Sequence, residues 1–224
     1  MKRLVENDRS PVPGGKEMVL YRRNDDFVVF VDGKELMGSR AHSSEEQLST
    51  LACEGLRTVA AARVLVGGLG MGFTLRAALR KLRDDACVDV AELVPAVVRW
   101  NRGVLAPLAG APLEDARVHV IEQDVAQVVK EADSLYDAIL LDVDNGPMAL
   151  SAPANARLYD DAGVTRALRA LCPGGVLAVW STSDHRAFTD RLARAGFTTR
   201  IERPTARLGG GARHVVWLAR KPGP

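Results

Sequence analysis

The run Val64-Leu-Val-Gly-Gly-Leu-Gly-Met-Gly72 constrains this 224-residue chain more than any other segment. A short apolar stretch passes into a turn holding Gly67, Gly68, Gly70 and Gly72, and a helical pattern runs on from Phe73 to Leu82. Glycine adopts backbone angles that a β-carbon forbids, and it lets a ligand lie against the chain. The helix start beyond the turn offers unpaired N–H groups. Strand, glycine turn and helix in that order suit a nucleotide or nucleoside site. Tight βα turns also use glycine for purely structural reasons, so the turn alone does not decide the matter.

Acidic residues farther along the chain narrow the choice. Twenty residues after Gly72, Glu92 closes the strand pattern Val88-Asp-Val-Ala-Glu92, where a carboxylate can accept hydrogen bonds from ribose hydroxyls. A third strand pattern, 117–122, ends near Asp124. A fourth, 136–142, ends on Asp142 with Asp144 close behind. Open α/β sheets bind ligands along the carboxyl edge of their strands. Any one of these acids reads equally well as a helix cap or turn residue. Four of them in register after a glycine turn read as a nucleoside site.

The rest of the chain fits the same plan. After a helix expected over 44–60, with Ser43 or Ser44 as N-cap and Glu45 and Glu46 in its first turn, strand and helix patterns alternate. Strands are expected at 64–67, 87–91, 117–122, 136–142 and 175–180, with helices at 73–83, 94–104, 124–131, 160–171 and 185–194. Such alternation implies a mostly parallel sheet covered by helices on both faces, an α/β Rossmann-like fold. Segments 198–203 and 213–219, joined across Gly209-Gly-Gly211, read as a terminal antiparallel hairpin. Ahead of this domain (41–224), residues 17–40 read as a small β-hairpin appendage. Residues 1–16, with Pro11, Pro13, Gly14 and Gly15, read as a flexible arm.

Composition sets the outer limits. A hydrophobic content of 47% is ample for a core, and the net charge of +2 gives no general attraction to nucleic acid. No apolar run is long enough to span a bilayer, and the first residues lack the apolar centre of a signal peptide. Cys53, Cys87 and Cys172 are scattered and odd in number, which suits buried thiols of a reducing compartment rather than metal ligands. His42, His119, His185 and His214 share no metal-like spacing. The expectation is a cytoplasmic enzyme without a metal. His42, just ahead of the acidic helix start, and Trp180, after the fifth strand, are further candidates for the pocket wall.

With these residues in place, the chain from about Phe27 to about Ser181 resembles the spermidine synthase family of aminopropyltransferases, within the superfamily of the S-adenosylmethionine-binding methyltransferase fold. The shared parts are Val31-Asp32-Gly33, Glu45-Glu46, the glycine loop, Glu92, Asp124 and Asp142. The resemblance implies that Glu92 holds the ribose hydroxyls. It implies that Asp124 accepts from the adenine amino group beside the Val125 amide, and that Asp142 faces the reacting centre. It further implies self-association, as a dimer for example. Departures are equally specific. The family loop reads Gly-Gly-Gly-Asp-Gly-Gly, its aspartate receiving the donor's amine, and here that position is Gly70. The family triplet Tyr-Gln-Glu or Tyr-His-Glu becomes Ser44-Glu45-Glu46, and the two acids after strand four become Asp142-Val-Asp-Asn145.

The missing aspartate bears on the donor. Two like charges ~4 Å apart at an effective dielectric near 20 repel by roughly 4 kcal/mol, so an aspartate at position 70 would select against the carboxylate of S-adenosylmethionine. Gly70 lifts that repulsion. The sequence therefore favours S-adenosylmethionine over its decarboxylated form, and methyl transfer to a small amine-type acceptor. Asp142 is the expected base or amine orienter, Asp144 the second acid, and Glu46 the group closing the site. Aminopropyl transfer with a rebuilt acceptor site, and a nucleoside-binding protein without turnover, are the alternatives.

Overall fold

A computed structural model describes residues 4–143, 146–147, 155–207 and 209–223. In chain order the strands are β1 (Val5–Val12), β2 (Lys16–Arg23), β3 (Asp26–Val31), β4 (Lys34–Gly38), β5 (Arg63–Gly67), β6 (Cys87–Ala91), β7 (Val118–Ile121), β8 (Tyr136–Leu141), β9 (Leu171–Ser181), β10 (Thr198–Glu202), β11 (Thr205–Arg207), β12 (Gly210–Arg213) and β13 (Val215–Arg220). The helices are α1 (Ser43–Ala52), α2 (Phe73–Leu79), α3 (Pro95–Arg102), α4 (Ala106–Ala109), α5 (Val125–Glu131), α6 (Ala156–Tyr159), α7 (Asp161–Ala170) and α8 (Arg186–Arg194).

The main sheet has the order β10-β13-β9-β8-β5-β6-β7. Strands β5 to β9 run parallel, whereas β13 is antiparallel to both β9 and β10. The chain enters this sheet at β5, proceeds outward through β6 and β7, then returns to place β8 on the other side of β5. This reversal opens a crevice at the carboxyl ends of β5 and β8, the place where such sheets take ligands.

Side chains of a strand alternate between faces, and this sheet buries both. Val64, Val66, Ala138 and Leu140 join one apolar cluster with α1, α2 and α3. Leu65, Ile139 and Leu141 join the other with α5, α7 and α8. That two-sided burial is why these strands read as continuous apolar runs. The expected terminal hairpin is formed by β10 and β13, with the small β11–β12 hairpin inserted between them.

The expectation of a flexible arm is corrected. Residues 5–12 form β1, the outer strand of a four-stranded antiparallel meander. The pairing with β2 runs from Val5 opposite Arg22 to Val12 opposite Lys16. Pro11 is compatible because an edge strand has one side free of ladder bonds. Asp8 then fastens β1 to α3, accepting from Arg99 Nη2 and from the Trp100 indole, each at 2.7 Å. The meander's inner face, Met18, Leu20, Phe27 and Val29, belongs to the same cluster as α1 and α2. A sheet too small to stand alone is thus fixed across the carboxyl edge of the main one. The expected helix over 44–60 stops at Ala52 and continues as a 3₁₀ turn, Glu54–Thr58; neither Ser43 nor Ser44 caps it, since the preceding position is His42. Among the described residues, no helix is long and apolar enough to cross a membrane.

Candidate active site

Between the meander and the carboxyl ends of β5 to β9 lies a cavity of about 520 Å³, a size that holds a nucleoside-sized ligand. Met18, Val31, Leu36 and Met37 form its roof, and Leu69, Phe73 and Val97 lie opposite. Its charged lining is markedly one-sided: Glu45, Glu92, Asp124 and Asp142 stand against Lys16. Such a cavity attracts cations.

Each acid is held differently. Glu92, buried at the end of β6, accepts from the Leu69 amide at 3.0 Å and from the Val94 amide at 2.8 Å. It therefore ties the glycine loop to the following turn, and burial raises its pKa against those bonds. Asp124 caps α5, its Oδ1 accepting from the Ala126 amide at 2.7 Å, while its Oδ2 pairs with Arg157. Val125 comes next in the cavity wall.

Asp142 lies just beyond β8 and accepts the Thr74 hydroxyl. Burial pushes its carboxyl up to about 6, the Thr74 bond opposing this. Glu45, in the first turn of α1, is pushed up to about 8, first by burial and then by the charge of Asp142. Two neighbouring carboxyls, both raised by burial and one of them further raised by the charge of the other, resist double ionisation at neutral pH. A cation entering between them removes that resistance.

The glycines divide into two kinds. Gly68 and Gly70 line the cavity. At Gly68, with φ +84°, a Cβ would lie 2.6 Å from the Asp142 carbonyl oxygen, so the crevice depends on glycine there. Gly67 and Gly72 lie outside the cavity. A Cβ at Gly67 would meet Val125 at 2.8 Å and Leu141 at 2.9 Å; one at Gly72 would meet Asn101 and Pro112 at 3.1 Å. Both sit in close packing of strand, loop and helix, away from the cavity wall.

Glu46 is likewise displaced from its expected place. Its carboxylate pairs with Arg76 and lies 3.8 Å from His42 Nε2, outside the cavity. Consecutive helical residues point about 100° apart, and Glu45 is the one that faces inward. His42 stacks on Phe73 with ring centroids 4.0 Å apart rather than lining the cavity. Trp180 does line it, and its buried indole N–H has no partner among the described residues. Asp144 lies outside the described residues. The sequence alone names Glu45 only beside Glu46 and Asp144, as a replacement contact in the aminopropyl alternative, and of the two glutamates it is Glu45 that lines the cavity.

Comparison with known proteins agrees with this architecture. A family model described as the spermine/spermidine synthase domain matches residues 45–190. A polyamine aminopropyltransferase of Mycobacterium tuberculosis (strain CDC 1551 / Oshkosh) is 30% identical over 175 residues, 76% of this chain and 32% of that protein. The chain thus spans about a third of the length of the curated relatives it matches. A solved spermidine synthase from Thermotoga maritima has a TM-score of 0.74 at 18% identity, covering 98% of this chain and 73% of that one. A spermidine synthase in complex with the transition state analogue AdoDATO gives 0.74 at 17%, over 96% and 72%. At those identities the structural likeness establishes the fold.

Proposed function

The chain belongs to the spermine/spermidine synthase family, and on that premise we propose that it is an aminopropyltransferase, taking the aminopropyl group from decarboxylated S-adenosylmethionine and passing it to a small amine. The observation that carries this reading is the Glu45–Asp142 pair in an acidic cavity. Decarboxylated S-adenosylmethionine brings a sulfonium and an ammonium, both complementary to that lining. The carboxylate of S-adenosylmethionine would instead meet the Glu45–Asp142 pair. Glu45 supplies the amine-binding charge that Gly70 lacks, so the favoured reading shifts from the methyl transfer expected of the sequence to its aminopropyl alternative.

The chemistry requires little beyond alignment and one proton. The acceptor arrives as an ammonium ion and gives a proton to the ionised member of the pair, Asp142. The freed amine attacks the carbon next to sulfur, in line with the C–S bond. The C–N bond forms as the C–S electrons pass to sulfur, and methylthioadenosine leaves as a neutral thioether. In this reading Glu92 holds the ribose, Asp124 and the Val125 amide meet the adenine, and Gly68 and Gly70 let the donor approach the backbone.

Methyl transfer is the second reading. It is favoured by Gly70 and Lys16, which both line the cavity; a cation and a turn without side chain suit a donor carboxylate. Incubating the protein with each donor and a panel of diamines, then identifying nucleoside products by mass spectrometry, separates the two. Methylthioadenosine supports aminopropyl transfer. S-adenosylhomocysteine would replace it with methyl transfer, and neither product would leave a nucleoside-binding protein.

A further inference from the structure

A second cluster of reactive side chains sits away from the cavity, on the outer strands of the sheet. Cys87 and Asp89, two residues apart on β6, point to the same face, and the parallel register places His119 of β7 opposite Asp89. Cys87 Sγ lies 3.3 Å from His119 Nδ1 and 3.9 Å from Asp89 Oδ1, and that oxygen lies 3.8 Å from the same Nδ1. We infer that Cys87, Asp89 and His119 are ligands of a divalent metal ion of the zinc class, with water in a fourth, solvent-facing position.

The triangle has the right size. With Zn–S near 2.3 Å and Zn–N or Zn–O near 2.0–2.2 Å, tetrahedral ligand atoms stand ~3.3–3.6 Å apart. Closing the triangle requires contraction of two edges by a few tenths of an ångström. An acid–imidazole–thiol relay would need the carboxylate on one ring nitrogen and the thiol on the other. Here both converge on Nδ1, which is the arrangement of a shared centre rather than a relay.

The surroundings orient the buried ligand. Asp89 is buried, and its Oδ2 accepts from Arg63 Nε at 2.9 Å, Arg63 Nη2 at 2.8 Å and the Tyr136 hydroxyl at 3.1 Å. These bonds leave Oδ1 turned towards Cys87 and His119, the function that outer partners perform for metal-ligating carboxylates. Thiolate and imidazole together select zinc over magnesium or calcium. His119 is exposed, so an ion can enter from solvent. None of the three residues lines the cavity, and Asp89 precedes Glu92 by three residues, ~10 Å along an extended strand. Bound there, the ion would brace the sheet's edge strand β7 to its neighbour β6. This assignment runs counter to the expectation that the chain's cysteines and histidines are not metal ligands. Ligands drawn from adjacent parallel strands, 32 residues apart, leave no short spacing to read.

Metal-stripped protein titrated with Co²⁺ should bind one equivalent, with the visible bands of tetrahedral cobalt and a near-ultraviolet thiolate-to-cobalt band. Zn²⁺ should displace it and raise Tm. Cys87→Ser should abolish the thiolate band, and His119→Ala, at an exposed position, should weaken Zn²⁺ binding at least tenfold; Cys172→Ser should change neither. Absence of the band in the parent protein, its survival in Cys87→Ser, or unchanged Zn²⁺ affinity in His119→Ala would overturn the assignment.

Discussion

Replacing Glu45 by glutamine should stabilise the protein at alkaline pH while impairing its use of amines. The folded state raises this carboxyl from 4.5 to about 8, so the native protein holds the proton more tightly than the unfolded chain does. Ionised Glu45 is therefore a burden on the fold, and stability is lost as pH rises from about 4.5 to about 8. At 1.36 kcal/mol per pH unit, the full effect amounts to ~5 kcal/mol. Glu45 is only partly enclosed and shares the effect with Asp142, so about half, ~2 kcal/mol, is the reasoned expectation. Glutamine keeps the size and removes the charge. Chemical denaturation of parent and variant at pH 5 and pH 9 should give nearly equal stabilities at the lower pH. At the higher pH the variant should gain ~2 kcal/mol, or roughly 4–8 °C in Tm for a chain of this length. A variant no more stable than the parent at pH 9, or a gain independent of pH, would refute the raised Glu45 carboxyl, whose first cause is burial and second the charge of Asp142.

Other tests address single contacts. Asp142→Asn should abolish transfer while leaving methylthioadenosine binding, measured by calorimetry, largely intact; unchanged turnover would remove Asp142 from the mechanism. Arg157 occupies Asp124 Oδ2, so Arg157→Ala should tighten nucleoside binding severalfold, and weaker binding would mean that the arginine supports the site instead. Gly68→Ala combines a left-handed backbone with a 2.6 Å approach to Asp142. It should cost at least ~2 kcal/mol on unfolding, read by denaturant titration, and an unchanged midpoint would show that the crevice is not tight. Affinity for a diamine should rise from pH 6 to pH 8, because a bound cation favours ionised Glu45 and releases its proton. A flat profile in calorimetry would place the amine elsewhere.

The sheet was legible because its strands are buried on both faces: the runs around Val64–Val66 and Ile139–Leu141 announce themselves without tertiary information. Glu92, Asp124 and Asp142 were legible for a related reason, as strand length places each at the carboxyl rim. What stayed hidden depends on direction and partnership. Glu45 and Glu46 are chemically alike, and only the docking of α1 beside Arg76 decides which one faces the cavity. Polar, two-faced β1 has no apolar alternation to betray it, and its anchor, Asp8 to Trp100, spans 92 positions. The pairing of Asp124 with Arg157, 33 residues on, is equally silent.

The first turn of α1 is moored from far along the chain. Ser44 Oγ lies 2.8 Å from His214 Nδ1, which packs edge-on against Trp180. Ser44 also donates to Glu45. During synthesis, the ribosome must therefore translate past codon 214 before Glu45 has its final neighbours. Nascent chains stalled short of that point would carry the glycine loop and Glu92, yet lack the contact that fixes this wall of the cavity.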